Sequence, residues 1–468
     1  MPGPSSRWVR QMASGELTAG SYTIDITPPE GVHAGCWGLH TALAEGAHDR
    51  LEATALVIGD GSKVVALVGV DACMVSEAAT SEARHRITEL TGIPGDAVLI
   101  NASHDHAAPR YIPKIGEAGV DAPSLDQYEL ALPGRIAGAV YGAFRRLQPA
   151  RIGFGRGRAG GVSVNRVDRT QPVDDAVWVM RVESAAGEPL AVAISFSCHP
   201  ITIGGQTRLW DTDYPGPLRT RVRAELGVAD CLFLQGAAGD TGPWDFWFGN
   251  ESPRLHSFET RDELAEAVAT AAIATARGIV PESELHVAHG SSMLELGRRE
   301  FPWSAAEVGA RAAAHVPPSE DAYPELWAST VHTATSAQRF PEYYQWYALV
   351  LYQSLIDERS VPVRAEIQAI ALGEHALIAN PFEPFTEVAR MVAERSPFAD
   401  TRVLGYTNGY AGYLPPPADY AKIDGYSLGE ILDQDRSRWA YGITTAWVGR
   451  DGSEAVMDAS VRCLEQLR

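Results

Sequence analysis

Cysteine is scarce in this sequence, with five residues in 468 that are widely spaced and odd in number. Such usage argues against a disulfide framework and favours a reducing compartment. Residues 1–20 also lack the continuous apolar run of a secretory signal peptide. Nowhere does the sequence approach the roughly 20 uninterrupted apolar residues that a membrane span needs. We therefore expect a cytoplasmic protein without a membrane span.

Positive charge is also in deficit, since 39 lysines and arginines face 59 aspartates and glutamates, giving a net charge of −20. A field of this sign repels nucleic acid and anionic membrane surfaces. We therefore expect a small-molecule partner and no nucleic acid. Nothing in the sequence indicates the oligomeric state.

One local pattern occurs three times along the chain. Each copy has two apolar runs around a Gly-containing turn, then a helical pattern, then a short apolar run, which predicts a hairpin, a helix and a strand. The predicted strands of the three copies lie at 53–58, 64–70 and 98–100, at 177–182, 191–196 and 231–234, and at 366–372, 376–379 and 402–404. The sequence thus predicts an α/β domain built from repeated hairpin–helix–strand units.

The stretch from about 245 to 361 does not follow the hairpin–helix–strand pattern. It contains a helical pattern at 262–277 and aromatic clusters around Trp303, Trp327 and Tyr343. We interpret it as a helical insertion that covers the site or forms a subunit contact, although aromatic residues often serve packing alone. The predicted domain therefore spans 15–468 with this insertion, preceded by an N-terminal tail at 1–14.

Polar residues follow the strands at equivalent places in the three copies. Asp71, His199 and Glu383 come after the hairpins, whereas the pair His104 and His106, then Asp240 and Tyr413, come after the last strands, listed here in chain order. Strand ends of this kind are where α/β sheets collect their active sites. We therefore expect these distant segments to converge, although hairpin–helix–strand units are common and the match could arise by chance.

Two imidazoles and one carboxylate are a frequent ligand set for catalytic zinc, which leaves an open position for water. We expect His104, His199 and Glu383 to be ligands. His106 should point to the same side of the loop as His104 and act as general base or acid. A bound metal would lower the pKa of water toward 7. Candidates for orienting the imidazoles are Asp105, Asp213 and Asp240.

Each of these residues also has a structural interpretation. His199 precedes Pro200 and could occupy a capped turn, Glu383 could open the following helix, and Tyr413 could pack on the core. Their joint occurrence at equivalent strand ends favours a functional site.

Several short motifs occur in the order found in one enzyme family. They are DITPP at 25–29, HDHAAP at 104–109, Asn165-Arg166, CHP at 198–200 followed by DYPG at 213–216, GAAGD at 236–240, PFE at 381–383 and YAGY at 410–413. With these motifs the chain resembles the catalytic domain of the neutral (non-lysosomal) ceramidases, zinc amidases that cleave the amide bond of ceramide. The resemblance covers most of the chain.

The resemblance implies a ceramidase-like catalytic domain in which His104, His199, Glu383 and Tyr413 hold Zn²⁺. By the same resemblance His106 would act on the water and the leaving amine, and Arg166 would stabilise the oxyanion. Tyr426 would match a further tyrosine near the site. Gly242 stands where the family motif carries a serine, which points to water as the nucleophile.

The sequence thus predicts a zinc-dependent hydrolase that cleaves the amide bond of an N-acyl compound with metal-activated water. The alternatives are a zinc-dependent hydrolase or lyase acting on an ester or glycosidic bond, and a non-catalytic relative that has kept the fold.

Overall fold

The computed structural model describes residues 16–31, 44–111, 126–203, 207–244, 257–315, 341–433 and 440–468. The strands are β1 Thr18–Asp25, β2 Gly46–Ala47, β3 Glu52–Gly59, β4 Val64–Val70, β5 Met74–Val75, β6 Val98–Ala102, β7 Arg110–Tyr111, β8 Gln148–Arg158, β9 Ser163–Asn165, β10 Ala176–Ser184, β11 Pro189–Phe196, β12 Leu209–Trp210, β13 Asp230–Gln235, β14 Thr241–Pro243, β15 Val287–Leu296, β16 Val363–Leu372, β17 His375–Ala379, β18 Glu383–Pro384, β19 Asp400–Leu404 and β20 Tyr413–Leu414.

The helices that flank these strands are α1 Glu77–Thr91, α2 Asp126–Arg145, α3 Pro215–Leu226, α4 Phe258–Gly278, α5 Ala305–Ala313, α6 Pro341–Asp357, α7 Thr386–Glu394, α8 Leu428–Ile431 and α9 Arg450–Glu465. Short 3₁₀ turns occur at Gly95–Ala97 and Pro417–Ile423.

Two sheets form the framework. The larger has eight strands in the order β13-β11-β10-β8-β1-β3-β4-β6, and the smaller has four in the order β15-β16-β17-β19. Helices pack against both sheets: α1 and α2 lie beside the first unit, α3 and α4 beside the second, and α7 and α9 beside the smaller sheet. The predicted α/β class is confirmed.

The threefold repeat predicted from the sequence is present. In each copy two antiparallel strands form a hairpin, and the second of them pairs in parallel with the strand after the helix: β3–β4 with β6, β10–β11 with β13, and β16–β17 with β19. The parallel pairing places the carboxyl ends of the two strands at the same edge. Each copy therefore delivers two loops to one place.

The helix boundaries in the first two copies lie where the turn chemistry predicts them. The hydroxyl of Ser76 accepts a hydrogen bond from the Ala79 amide at 3.0 Å and caps the start of α1. Gly92 ends α1 with φ of +80°, a left-handed conformation that glycine adopts without a Cβ clash. Gly227 ends α3 in the same way.

The segment at 245–361 is helical in part, as predicted, since its described residues include α4, α5 and α6. Leu264 and Val268 of α4 are buried in the same cluster as Phe196 of β11, so α4 covers the larger sheet. The segment also supplies β15, which pairs with β16 along its whole length and which the sequence analysis missed. The N-terminal tail and residues 245–256 and 316–340 lie outside the described residues, and the domain boundaries stay predictions.

Two observations bear on the expectations about a membrane span and about the redox state of the cysteines. No helix among the described residues has the length and apolar character to cross a lipid bilayer. Cys73 is disulfide-bonded, which the sparse cysteine content did not predict, whereas Cys198, Cys231 and Cys463 are buried free thiols. The cytoplasmic location stays a prediction.

The side chain of Asn101, at the end of β6, joins the strand ends of all three copies. Its amide nitrogen donates to the Gly405 carbonyl at 2.8 Å and to the Thr407 hydroxyl at 2.9 Å, and its oxygen accepts from the Gln235 amide at 2.7 Å. Isolated bridges link Asn101 to Thr407 and Gly236 to Leu404. The two sheets therefore meet at this buried amide.

Replacing Asn101 by leucine should lower the free energy of unfolding by roughly 2–4 kcal/mol, because an apolar side chain leaves several buried polar groups without partners. Urea denaturation followed by circular dichroism measures this loss. The exposed amide of Gln171 offers a control: Gln171→Leu should change stability by less than about 0.5 kcal/mol. Equal changes in the free energy of unfolding for the two substitutions would show that the Asn101 hydrogen bonds do not stabilise the junction of the sheets.

Candidate metal centre

His104, His199 and Glu383 lie close together, and all three are buried. The Nε2 atoms of the two histidines are 3.0 Å apart, and Oε2 of Glu383 lies 3.4 Å from His104 Nε2 and 3.2 Å from His199 Nε2. The predicted convergence of the strand exits is therefore present at these three residues.

Backbone hydrogen bonds fix each of these residues to a neighbouring loop. The His104 amide donates to the Ala72 carbonyl at 2.9 Å, and the His199 amide donates to the Thr241 carbonyl at 3.0 Å. Glu383 lies in β18 opposite Tyr413 of β20, the two strands running in parallel. The separation of the three side chains is thus set by the backbone of the surrounding loops.

Gly239 shows how closely these loops approach one another. A Cβ atom at this position would lie 2.3 Å from the Glu383 carbonyl oxygen, a distance that no side chain tolerates. The Gly239 amide donates to the Pro384 carbonyl at 2.9 Å, which couples the second copy to the third. Only glycine lets the two exits come together here.

The tautomers of the two histidines follow from their other ring nitrogens. Nδ1 of His104 lies 2.8 Å from the Cys73 carbonyl oxygen, and Nδ1 of His199 lies 2.6 Å from the Ala238 carbonyl oxygen. A carbonyl oxygen can only accept, so each Nδ1 carries the hydrogen. Both Nε2 atoms therefore present lone pairs to each other and to the carboxylate.

This donor set fits a divalent metal. Electron-pair donors that face one another repel unless a cation lies between them, and ligand atoms around a tetrahedral zinc ion are about 3.3 Å apart. The three separations of 3.0, 3.4 and 3.2 Å match that spacing, and both histidines donate Nδ1–H to carbonyl groups as metal-ligating histidines do. The cluster could therefore hold a metal ion.

His106 lies beside the cluster on the same side of the loop as His104, as predicted. Its Nε2 atom is 3.4 Å from His104 Nε2, and the two rings meet edge to face with centroids 5.0 Å apart. Burial and the neighbouring His104 and His199 lower the pKa of His106 well below its usual value. The imidazole is therefore neutral near pH 7 in the metal-free protein.

Arg166 brings positive charge to the other side of His199. Its guanidinium donates to the Gly239 carbonyl from Nε and Nη2, at 3.2 and 3.0 Å, and from Nη2 to the Tyr413 hydroxyl at 2.8 Å. The same Nη2 atom is 3.1 Å from His199 Nε2 and 4.0 Å from Glu383 Oε2. Arg166 is thus a held, largely buried cation at the edge of the cluster.

The electrostatics keep Glu383 ionised and His199 neutral, which are the protonation states that metal binding needs. Burial raises the pKa of Glu383, but the close contacts with His104 and His199 outweigh it and hold that pKa well below its usual range. Burial and the Arg166 guanidinium lower the pKa of His199 to about 3. Burial raises the pKa of Tyr413, so this phenol is protonated. Tyr413 as a ligand stays a prediction.

Two tyrosines that the sequence analysis did not assign contact the Glu383 carboxylate. Tyr410 donates its hydroxyl to Oε1 at 2.5 Å, and Tyr406 donates to Oε2 at the longer distance of 3.4 Å. The ring of Tyr406 also stacks on His104 with centroids 4.1 Å apart. Tyr410 lies within the YAGY motif, but no spacing rule distinguishes a phenol that contacts the carboxylate from one that packs.

His104 and Tyr406 occupy matching positions, each two residues after the last strand of its copy. Both have left-handed backbone conformations, with φ of 62° and 52°, which is unusual for a large side chain. Asp213 and Asn408 are the other non-glycine residues with positive φ among the described residues. Such strain persists where the surroundings over-determine the conformation, as they do at functional sites.

The prediction that Asp105, Asp213 and Asp240 orient the imidazoles is wrong, because backbone carbonyls occupy both Nδ1 atoms. Asp240 instead accepts from Asn165 and from the amide and hydroxyl of Thr386. Asp213 accepts from Thr202, Ile203 and Tyr214, and Asp105 accepts from the Ala107 amide. These carboxylates therefore stabilise the loops by hydrogen bonds and do not orient the imidazoles of His104 and His199.

Two other predicted residues have different surroundings. Asp71, expected with the ligands at the first exit, forms a buried bidentate pair with Arg219 of α3 at 2.7 and 2.6 Å. Tyr426 is half-buried against the core of the smaller sheet, where its carbonyl accepts from the Trp303 indole at 3.3 Å. A catalytic role for Tyr426 stays a prediction.

No family model matches the chain. Neutral ceramidase A of Dictyostelium discoideum is 25% identical over 269 residues, which represent 52% of this chain and 36% of that protein, so the chain spans about a third of that relative's length. The neutral ceramidase of Pseudomonas aeruginosa superimposes with a TM-score of 0.69 at 18% identity, covering 97% of this chain and 75% of the other. A ceramidase described as complexed with C2 gives the same TM-score and coverage at 19% identity.

These comparisons confirm the resemblance drawn from the motifs: the chain folds as a neutral ceramidase-like domain.

The low pKa of His199 predicts how the metal-free protein responds to acid. In the unfolded chain His199 is protonated below about pH 6.5, whereas in the folded protein it stays neutral down to about pH 3. The free energy of unfolding therefore decreases as the pH falls through this window. Between pH 7 and pH 5 the loss attributable to His199 should be about 2 kcal/mol. Urea unfolding of chelator-treated wild type and His199→Gln at the two pH values measures it. An equal loss in both proteins would contradict the assignment.

Proposed function

We propose that this neutral ceramidase-like domain is a zinc-dependent hydrolase that cleaves the amide bond of an N-acyl compound. The observation that carries the proposal is the set of three electron-pair donors, His104 Nε2, His199 Nε2 and Glu383 Oε2, facing one another at 3.0–3.4 Å in a buried site. The ceramidases with this fold support an amide substrate, because their name describes cleavage of ceramide.

Zinc, when bound to His104, His199 and Glu383, would supply Lewis acidity and acidify a water molecule. The chain contributes one negative charge from Glu383 and two neutral imidazoles to this site. The resulting centre keeps a net positive charge, which suits a nucleophile and a carbonyl oxygen that both carry negative charge during the reaction.

The distance of His106 from His104 and its neutral imidazole support a role as general base. Its neutral imidazole can accept the proton of the attacking water and then donate that proton to the nitrogen of the departing amine. The low pKa of His106 keeps the imidazole in the accepting form at neutral pH and makes the protonated form a strong acid toward the amine.

Arg166 supplies the charge that the carbonyl oxygen needs as the tetrahedral intermediate forms. Its two bonds to the Gly239 carbonyl and its bond to the Tyr413 hydroxyl hold the guanidinium in place before the substrate arrives. A preorganised cation of this kind stabilises developing negative charge without a reorganisation cost.

Substituting His199 or Glu383 by alanine should cause loss of the metal, because each substitution removes one of the three side chains that would bind the ion. Elemental analysis after dialysis measures zinc per chain, with about one expected in wild type and little in either variant. The matched control is His375→Ala, whose imidazole lies beside Asp400 on the smaller sheet and should leave zinc content unchanged. Full zinc content in the His199 or Glu383 variant would refute the site.

Substituting His106 by alanine should leave the zinc in place and lower kcat/KM by roughly 10²–10⁴-fold, the usual contribution of a general base. Steady-state assays on matched panels of N-acyl and O-acyl or O-glycosyl compounds measure the change. Loss of zinc in this variant would make His106 a ligand instead. Activity confined to the O-linked panel in wild type would overturn the assignment as an amidase.

A further inference from the structure

The two oxygens of the Glu383 carboxylate have different neighbours. Oε2 faces the histidine nitrogens at 3.4 and 3.2 Å, whereas Oε1 accepts the hydroxyl of Tyr410 at 2.5 Å. A carboxylate that binds a metal through both oxygens needs a lone pair of each oxygen to face the ion. The hydrogen bond from the Tyr410 hydroxyl competes for Oε1, so Oε2 is the oxygen left to bind a metal.

The position of Tyr410 relative to Glu383 is fixed on both sides. The Ala411 amide donates to the Pro381 carbonyl at 2.8 Å, and the Glu383 amide donates to the Gly412 carbonyl at 2.9 Å, so the two loops are joined on either side of the contact. The Tyr410 ring also meets Trp447 edge to face, with centroids 5.6 Å apart. The backbone bonds therefore hold the two residues opposite each other, and rotation of the phenol away from Glu383 would break its contact with Trp447.

We propose that Tyr410 is a positioning residue that restricts Glu383 to one-oxygen coordination and thereby favours zinc over larger divalent ions at the His104–His199–Glu383 site. The inference rests on the metal site of the proposed function. Zinc in proteins usually has four ligands, so one oxygen of Glu383 is sufficient at this site. Manganese prefers six oxygen-rich ligands, so it gains more when the second oxygen of Glu383 becomes available.

Tyr406 has a different relation to the carboxylate. Its hydroxyl lies 3.4 Å from Oε2, the same oxygen that faces the histidines, and its ring stacks on His104. This contact is long and leaves Oε1 untouched. Selectivity between the two coordination modes is therefore assigned to Tyr410 alone.

The test is Tyr410→Phe, which removes only the hydroxyl. Metal is removed with a chelator, and dissociation constants for Zn²⁺ and Mn²⁺ are then measured by competition with a chromophoric indicator. We expect the affinity for Zn²⁺ to fall by about 10–100-fold, as for other residues that orient a metal ligand, with a smaller loss or a gain for Mn²⁺. The ratio of the two constants should shift toward Mn²⁺ by about tenfold or more.

Tyr352→Phe is the matched control, because Tyr352 is also a buried phenol, and it donates to the Thr444 hydroxyl at 2.9 Å away from the metal site. Both metal affinities should stay at the wild-type values in this variant. The absorption spectrum of the Co²⁺-loaded proteins gives a second measurement: wild type should show the intense bands of four-coordinate cobalt, and Tyr410→Phe the weaker bands of higher coordination.

The outcomes separate the two proposals. Wild type that binds no zinc overturns the proposed function together with this inference. Wild type that binds zinc, with an unchanged Zn²⁺/Mn²⁺ ratio in Tyr410→Phe, overturns the role of Tyr410 alone, and so does an equal weakening of both metals. If Tyr410→Phe does not fold, Tyr410→Met tests the same loss of the hydroxyl with a flexible side chain.

Discussion

The buried amide of Asn101 joins two sheets that share no continuous strand pairing among the described residues. Its polar atoms are bonded at the ends of the last strands of the other two copies, and His104 lies three residues further along the chain from Asn101. Buried polar groups of this kind are costly when unpaired, so the junction tolerates only one relative placement of the sheets. The separation of His104, His199 and Glu383 depends on that placement.

The electrostatics of the site follow from burial and from the contacts among its own residues. Burial alone would disfavour every charged group there, yet Glu383 stays ionised beside two histidines and Arg166 stays protonated near Glu383 and Tyr413. The arrangement keeps His199 neutral and Glu383 charged, so electron-pair donors face one another in the absence of a cation. Holding the three ligand atoms in place before a ligand binds lowers the stability of the folded protein.

Much of the fold could be predicted from the sequence because its signal is local. The apolar runs, the glycine turns and the caps at Ser76 and Gly92 each depend on neighbours in the chain, and the three hairpin–helix–strand units lie where these patterns predict them. Strand β15 was missed because it lies at the edge of the smaller sheet with much of its length exposed, so its sequence lacks an apolar run.

The sequence by itself determined which residue types stand at the strand exits, since composition and periodicity are properties of the chain, and so it identified His104, His199 and Glu383 as a group. Only the tertiary structure decided which partners those residues have. Backbone carbonyls took the Nδ1 atoms in place of the expected carboxylates, Asp71 paired with Arg219, and Tyr410 took one oxygen of Glu383. Hydrogen-bond partners far apart in sequence are selected by distances of a few tenths of an ångström, which loop packing sets and a pattern of residues does not record.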